Sequence, residues 1–182
     1  MSRIVVAEYL TLDGVAEAPE TWVFPSWNEE LAAFTREQLQ ASDALLLGRA
    51  TYDIFAASWP SRTSDDGHAE RMNALPKYVV SNTLETAEWN NSSIVRVDMR
   101  EDVESIKQRH ERDILVWGSG TLVKALAGDG LVDEYHLMLF PIVLGAGKRL
   151  WDGGDARQDL ELVESRATSS GVLILSCRPR LR

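Results

Sequence analysis

The 182-residue sequence has little of what metal and redox sites are usually built from: one cysteine, Cys177, and three histidines, His68, His110 and His136, far apart in the chain. A single cysteine excludes a disulfide framework within the chain, a Cys-rich zinc site and any Cys-x-x-Cys redox motif. Scattered histidines make metal binding through imidazole unexpected. No window approaches the roughly 20 consecutive apolar residues of a membrane span. The opening apolar run, Ile4-Val5-Val6-Ala7, is too short for a signal-peptide core and is followed by Glu8 and Asp13, so a reducing cytoplasm is the expected address. Basic charge is also in short supply. Lys plus Arg number 19 against 28 Asp plus Glu, a net charge of -9, which opposes nonspecific binding to a nucleic-acid backbone. What is present is ordinary globular material, 45% hydrophobic and 26% charged, and these values argue against disorder and for one domain over residues 1–182.

Patterning along the chain alternates strand and helix. Residues Arg3 to Leu10 are apolar and β-branched on both alternating faces, as in a strand buried on two sides. Asp13-Gly14 supplies a turn. Ser26 and Glu29 have capping-box spacing ahead of a helix through Leu31, Phe34 and Leu39 to about Ser42. Ala44 to Leu47 reads as a short buried strand ended by Gly48, followed by a helix from Arg49 to about Ala57 that Trp59-Pro60 stops. Asp65 or Asp66 can cap a short helix toward Leu75. Lys77 to Ser81, Ile94 to Val97 and Asp113 to Trp117 read as strands, with helices around Val103-Ile106-His110 and Leu122-Val123-Leu126. From Asp133 the pattern turns to β: Glu134 to Phe140, then Leu160 to Ala167 and Val172 to Arg178 joined by a Thr168 to Gly171 hairpin turn. A βαβ-rich front and a meandering β tail predict an α/β fold, a mixed sheet with helices on its faces. No repeat or linker interrupts it.

Three strand ends carry residues suited to anions. Gly118-Ser119-Gly120-Thr121 joins a strand to a helix, where backbone N–H groups and the helix dipole favour a pyrophosphate. The segment lacks the third glycine of the dinucleotide fingerprint, Val123 standing there, and Met138 stands where an acidic residue would follow. Gly48-Arg49-Ala50-Thr51-Tyr52 is a second strand-to-helix passage, in which Arg49 can present its planar fork to a phosphate and Thr51 can meet a second anionic group. Ser81-Asn82-Thr83 leaves a third strand with hydroxyls and an amide able to hold a ribose or its phosphate. Each segment alone is also an ordinary turn; together, at one sheet edge, they suit one extended polyphosphate ligand.

Leu12-Asp13-Gly14, Gly48-Arg49-x-Thr51-Tyr52, Val79-Val80-Ser81, Val116-Trp117-Gly118-Ser119-Gly120-Thr121-Leu122, Asp133 to Leu137 and above all Phe140-Pro141-Ile142-Val143-Leu144-Gly145-Ala146-Gly147 resemble, in order and spacing, the dihydrofolate-reductase fold. More narrowly they resemble the reductase domain of bifunctional riboflavin-biosynthesis deaminase-reductases, here as a stand-alone member. The resemblance implies a three-layer α/β fold with a mostly parallel central sheet and a β-rich C-terminal end. It implies NADPH as cofactor, with Arg49 and Ser81 near the 2′-phosphate, Thr51 near the pyrophosphate, Gly118, Ser119, Gly120, Thr121 and Leu122 lining the pyrophosphate and nicotinamide side, and Gly14, Gly48 and Asn82 completing the cofactor site. The deaminase half of such enzymes uses His-x-Glu and Pro-Cys-x-x-Cys zinc ligands, which a one-cysteine chain cannot supply, so only reductase chemistry is expected.

Reduction of a C=N or C=O bond also needs a proton, often from a positioned acid. Two carboxylates are candidates. Glu30, before Leu31-Ala32-Ala33-Phe34, stands where the resemblance puts the acid of dihydrofolate reductases, and Asp13 stands where the riboflavin-type enzymes meet nicotinamide and substrate, able to bind a substrate hydroxyl or relay a proton. Solvent is the remaining proton source. Read without the resemblance, Glu30 complements a helix dipole and Asp13-Gly14 is a turn. Trp22, Phe24 and Trp27 can wall a flat heterocycle or serve as core. The expected activity is an NADPH-dependent reductase resembling 5-amino-6-(5-phosphoribosylamino)uracil reductase, with a small-molecule substrate; dihydrofolate reductase and an NADPH-binding protein without turnover are the alternatives. His136 and Cys177 are expected to be structural. The apolar Ile142, Val143, Leu144, Leu150 and Trp151 in a connector predict a homodimer interface.

Overall fold

A computed structural model describes residues 2–64, 66–96, 99–153 and 157–180. The strands are β1 (Ile4–Thr11), β2 (Ser42–Gly48), β3 (Lys77–Val80), β4 (Ser92–Val95), β5 (Asp113–Trp117), β6 (Glu134–Phe140), β7 (Leu160–Ala167) and β8 (Leu173–Pro179). The helices are α1 (Glu29–Ala41), α2 (Arg49–Ser58), α3 (His68–Ala74), α4 (Met99–Arg109) and α5 (Gly120–Gly128). One eight-stranded sheet runs in the order β4-β3-β2-β5-β1-β6-β8-β7. Pairings from β4 through β6 are parallel, and β8 lies antiparallel to both β6 and β7.

The continuous apolar character of β1, β2 and β5 follows from burial on two faces. Val6, Leu46 and Val116 pack with Val103 and Ile106 of α4 and Leu122, Val123 and Leu126 of α5. Val5, Leu45, Leu47 and Leu115 pack with Leu31 and Leu39 of α1, Tyr52 of α2 and Met72 of α3. Three layers result, as the sequence leads one to expect.

Local details depart from the sequence reading. Asn28, not Ser26, caps α1: its side-chain oxygen accepts the Leu31 N–H at 3.0 Å. Ser26 ends a preceding 3₁₀ turn, and Glu29 pairs instead with Arg36. Asp66 accepts the His68 N–H at 3.1 Å at the start of α3; Asp65, the other candidate cap, and Val97, assigned to the fourth strand, lie outside the described residues. His136 is hydrogen-bonded to Glu134 at 2.9 Å and Cys177 is buried. No helix is long and apolar enough to cross a membrane among the described residues.

Candidate active site

The crossover through α2 runs from β2 outward to β3, whereas that through α5 runs from β5 over β1 to β6. Successive connections therefore diverge between β2 and β5, the place where open α/β sheets leave a crevice at their carboxyl edge. Gly48 ends β2 and Gly118 follows β5, so both loops open into this crevice.

Four of the residues expected at the cofactor meet there. The Gly48 N–H donates to Ser119 Oγ at 3.0 Å, which ties the two loops together. Gly118 has φ +61°, and a Cβ there would lie 3.5 Å from both the methyl and the hydroxyl of Thr51. Ser119 itself has φ 69°, a conformation that costs a side-chain-bearing residue roughly 1–3 kcal/mol and that turns the chain sharply into α5. No side chain caps the amides at the start of either α2 or α5. Helix amides left without a cap need an acceptor, and their dipole favours an anion.

Around this junction lies a cleft of about 780 Å³. Arg49, Thr51 and Ile54 line it from α2, Gly120, Thr121, Leu122 and Lys124 from α5, and Lys148, Arg149 and Asp152 across its mouth. Four cations, Arg49, Lys124, Lys148 and Arg149, line the cleft together with the carboxylates of Glu17 and Asp152. Arg49 is held by Asp53, whose carboxylate accepts its Nε–H at 2.7 and 2.9 Å. Lys124 pairs with Asp152 at 2.7 Å, and Lys148 approaches Glu17 at 3.6 Å. Ala16, Ile54, Val80 and Leu122 add apolar side chains to the lining. Uncapped amides, cations and a side-chain-free Gly120 fit a dinucleotide with a pyrophosphate at its centre.

The remaining candidates are placed elsewhere. Ser81 is buried, and its Oγ accepts the N–H groups of Thr83 and Leu84 at 3.2 and 3.0 Å, so it shapes the turn after β3; Val80 lines the cleft in its place. Asn82 is exposed and does not line it. Glu30 accepts the Ser169 N–H at 2.7 Å and fastens α1 to the β7–β8 turn, outside the cleft lining. Asp13 accepts from the Thr11 hydroxyl at 2.7 Å and from the Leu144 and Gly145 N–H groups at 3.2 and 2.9 Å, with Arg149 at 3.4 Å. The Thr11 hydroxyl first, with the backbone amides, pushes its pKa down to about 2. A carboxylate so held is ionised at neutral pH.

What Asp13 does is brace the segment that carries Lys148 and Arg149. Its turn continues the clasp: Leu150 N–H donates to the Gly14 carbonyl and Ala16 N–H to the Lys148 carbonyl. Gly147 packs so closely that a Cβ would lie 2.7 Å from Val15 Cγ1. Asp13→Ala is accordingly expected to speed amide exchange at Leu144 and Gly145 by about tenfold or more, each losing a charge-assisted acceptor. Hydrogen exchange followed by mass spectrometry checks this, and unchanged exchange would remove the brace.

Lys124, Lys148 and Arg149 escape sequence reasoning. Lys124 had a signal, lying one helical turn after Gly120, but nothing in sequence brings the 148–152 segment back over the cleft.

Residues 3–174 match the family described as RibD C-terminal domain. The chain belongs to that family. A curated relative, the uncharacterized protein YyaP of Bacillus subtilis (strain 168), is 30% identical over 174 residues, 94% of this chain and 92% of the relative. Among solved structures, a putative riboflavin biosynthesis protein from Shewanella sp. PV-4 superposes with a TM-score of 0.80 at 17% identity, over 100% of both chains. Dihydrofolate reductase from Enterococcus faecalis, complexed with NADP(H) and RAB-propyl, superposes with a TM-score of 0.66 at 14% identity, over 98% of this chain and 97% of that one. The family chain thus has the dihydrofolate-reductase fold.

Proposed function

We propose that the protein is an NADPH-dependent reductase acting on a flat nitrogen heterocycle or its ribosyl derivative, of the kind that reduces 5-amino-6-(5-phosphoribosylamino)uracil. The observation that carries this reading is the junction of two uncapped helix starts in one cleft, tied by the Gly48–Ser119 hydrogen bond. Family membership and the NADP(H) complex of a protein with the same fold support it.

In this reading the amides of Gly120, Thr121 and Leu122 receive the pyrophosphate. The Thr51 hydroxyl, beside Gly118, meets the same group. Arg49 faces the 2′-phosphate with the guanidinium nitrogens that Asp53 leaves over. Bound NADPH supplies hydride; the chain's part is to orient it and to exclude water. Replacing Arg49 by Ala should weaken NADPH about tenfold or more, the worth of a charge-assisted hydrogen bond, and leave NADH nearly unchanged. Titration of both cofactors against both proteins measures this, and equal losses would contradict the 2′-phosphate assignment.

Loss of reduced-cofactor absorbance across a panel that includes the phosphoribosylaminopyrimidine and dihydrofolate tests turnover. A second reading, a protein that binds NADPH without turnover, is favoured by the engagement of both Asp13 and Glu30 in structural hydrogen bonds. It predicts a rise in melting temperature with NADPH and no consumption with any substrate.

The cytoplasmic homodimer expected from sequence is also kept as a proposal, with its surface redrawn. Leu150 is buried, so the connector contributes Val143, Leu144 and Trp151, exposed at 67%, 40% and 39%. Edge strand β7 adds exposed Leu162 and Val163. Light scattering should give twice the chain mass, shifted toward the monomer by Trp151→Glu; a monomeric wild type would refute it.

A further inference from the structure

β1 pairs with β5 only as far as Ala7, opposite Trp117, where the Gly118 N–H closes the ladder on the Ala7 carbonyl at 3.3 Å. On its other side β1 stays paired with β6 as far as Thr11, opposite Phe140. Residues 8–11 therefore run past the end of β5 without lining the cleft, and Glu8 follows Ala7, whose carbonyl accepts the Gly118 N–H at the mouth of the Gly118-Ser119-Gly120 turn. The residue that begins this stretch is an acid. Glu8 is 3% exposed and its Oε1 is buried without a hydrogen-bond partner.

The sheet order says which part of an extended cofactor comes nearest to β1. Along the edge stand β3 with Val80, β2 with Gly48 and Arg49, β5 with Gly118, and then β1. With the 2′-phosphate at Arg49 and the pyrophosphate at the start of α5, the ligand continues in the same direction. On that reading the nicotinamide end would approach β1 near Ala7, the next strand beyond β5, about 4.8 Å on.

We propose that Glu8 is a proton store coupled to the charge of the nicotinamide: it is neutral beside the reduced ring and gives up its proton when the ring is oxidised and cationic. This rests on the cofactor reading above. Over one turnover the hydride from the cofactor and the proton from Glu8 together make up the two hydrogens added to the substrate. The products are a carboxylate and a cationic ring, so charge is conserved within the site. Glu8 regains a proton from solvent when oxidised cofactor is exchanged for reduced.

The surroundings suit a carboxyl waiting for a cation. Val6 and Leu10, which share its face of β1, pack among Leu122 and Leu126 of α5, Val103 and Ile106 of α4, and Leu150, all apolar. Opposite it on β6 stands Leu137. The nearby charges are committed elsewhere: Lys124 of α5 to Asp152, Lys107 of α4 to Asp133, Arg149 to Asp13, and His136 of β6 to Glu134. Tyr9, the neighbouring titratable group, projects to the opposite face against Trp117 and Phe140. Burial alone raises the Glu8 pKa, to about 8, so the acid holds its proton at neutral pH until a positive charge arrives.

Proton release on binding tests this without turnover. NADP⁺ and NADPH are titrated calorimetrically into the wild-type protein at about pH 7 in buffers of different ionisation enthalpy. The 2′-phosphate is common to both and cancels in the comparison. NADP⁺ should release about one proton more than NADPH, and its affinity relative to NADPH should increase about tenfold for each unit by which pH is raised toward the Glu8 pKa. In Glu8→Gln, checked for native circular dichroism, both differences should vanish. Equal proton counts for the two cofactors in the wild type would overturn the inference while leaving the cofactor reading standing. If neither cofactor binds, the cofactor reading fails and this inference falls with it.

Discussion

Gly120→Val should lose about 100-fold or more in NADPH affinity while keeping its fold. A Cβ at Gly120 would have Leu150 Cδ1, at 3.9 Å, as its nearest neighbour, an ordinary contact, and the backbone there has no positive φ. Valine is therefore tolerated at the start of α5, with a stability change within about 1 kcal/mol. The same side chain enters the cleft that Gly120 lines. It keeps the pyrophosphate from the amides of the first turn, and two lost charge-assisted hydrogen bonds at roughly 1.5–3 kcal/mol each account for the expected loss. Gly118→Ala makes the contrast: at φ +61° and beside Thr51 it should destabilise the fold as well. Melting curves and cofactor titrations on both variants separate the two effects, and a well-folded Gly120→Val protein with normal NADPH binding would reduce the segment to a turn.

Glu8→Gln should stabilise the protein increasingly as pH rises from about 5 to about 8. The folded carboxyl, raised from 4.5 to about 8 by burial, holds a proton across this window, whereas in the unfolded chain it is ionised. The folded state binds the extra proton, so wild-type stability from this group falls as pH rises through the window. At about 1.4 kcal/mol per pKa unit the full effect is on the order of 3–5 kcal/mol. A glutamine cannot ionise and escapes the loss. Denaturant unfolding of both proteins across the range gives the difference directly: a gap near zero at pH 5 that widens toward pH 8 is expected, and a constant gap would mean that Glu8 is ionised in the folded protein.

What sequence reveals here, and what it hides, divides by the range of the interaction. The buried strands are legible because apolar residues on both faces of Ile4 to Leu10 or Ala44 to Leu47 leave no other environment for them. Strand ends at Gly48 and Gly118 are legible for the same local reason, and they hold the part of the site that the structure brings together. The bond between them, from Gly48 N–H to Ser119 Oγ, joins residues 71 apart and has no local signature. Asp13 shows the cost of that blindness: its turn is readable, but its partners Leu144, Gly145 and Arg149 arrive from the far side of the sequence and add a bracing contact that the turn does not announce. Lys77 carries the same lesson within a strand. It is fully buried, its ammonium donating to the carbonyls of Asn73, Leu75 and Asn90 over the Trp89 ring, and nothing in the sequence around it marks those partners. In sequence Glu8 is only the charge that follows Ile4-Val5-Val6-Ala7, and the pairing of β1 is what places it just past the end of the ladder with β5.

Calorimetric titration of the wild-type protein with NADPH, beside NADH, tests the central claim of a nicotinamide cleft between α2 and α5. One NADPH per chain is expected, bound about tenfold or more tightly than NADH, with the heat abolished in Gly120→Val. No saturable heat with NADPH, or equal binding in the wild-type and Gly120→Val proteins, would contradict it.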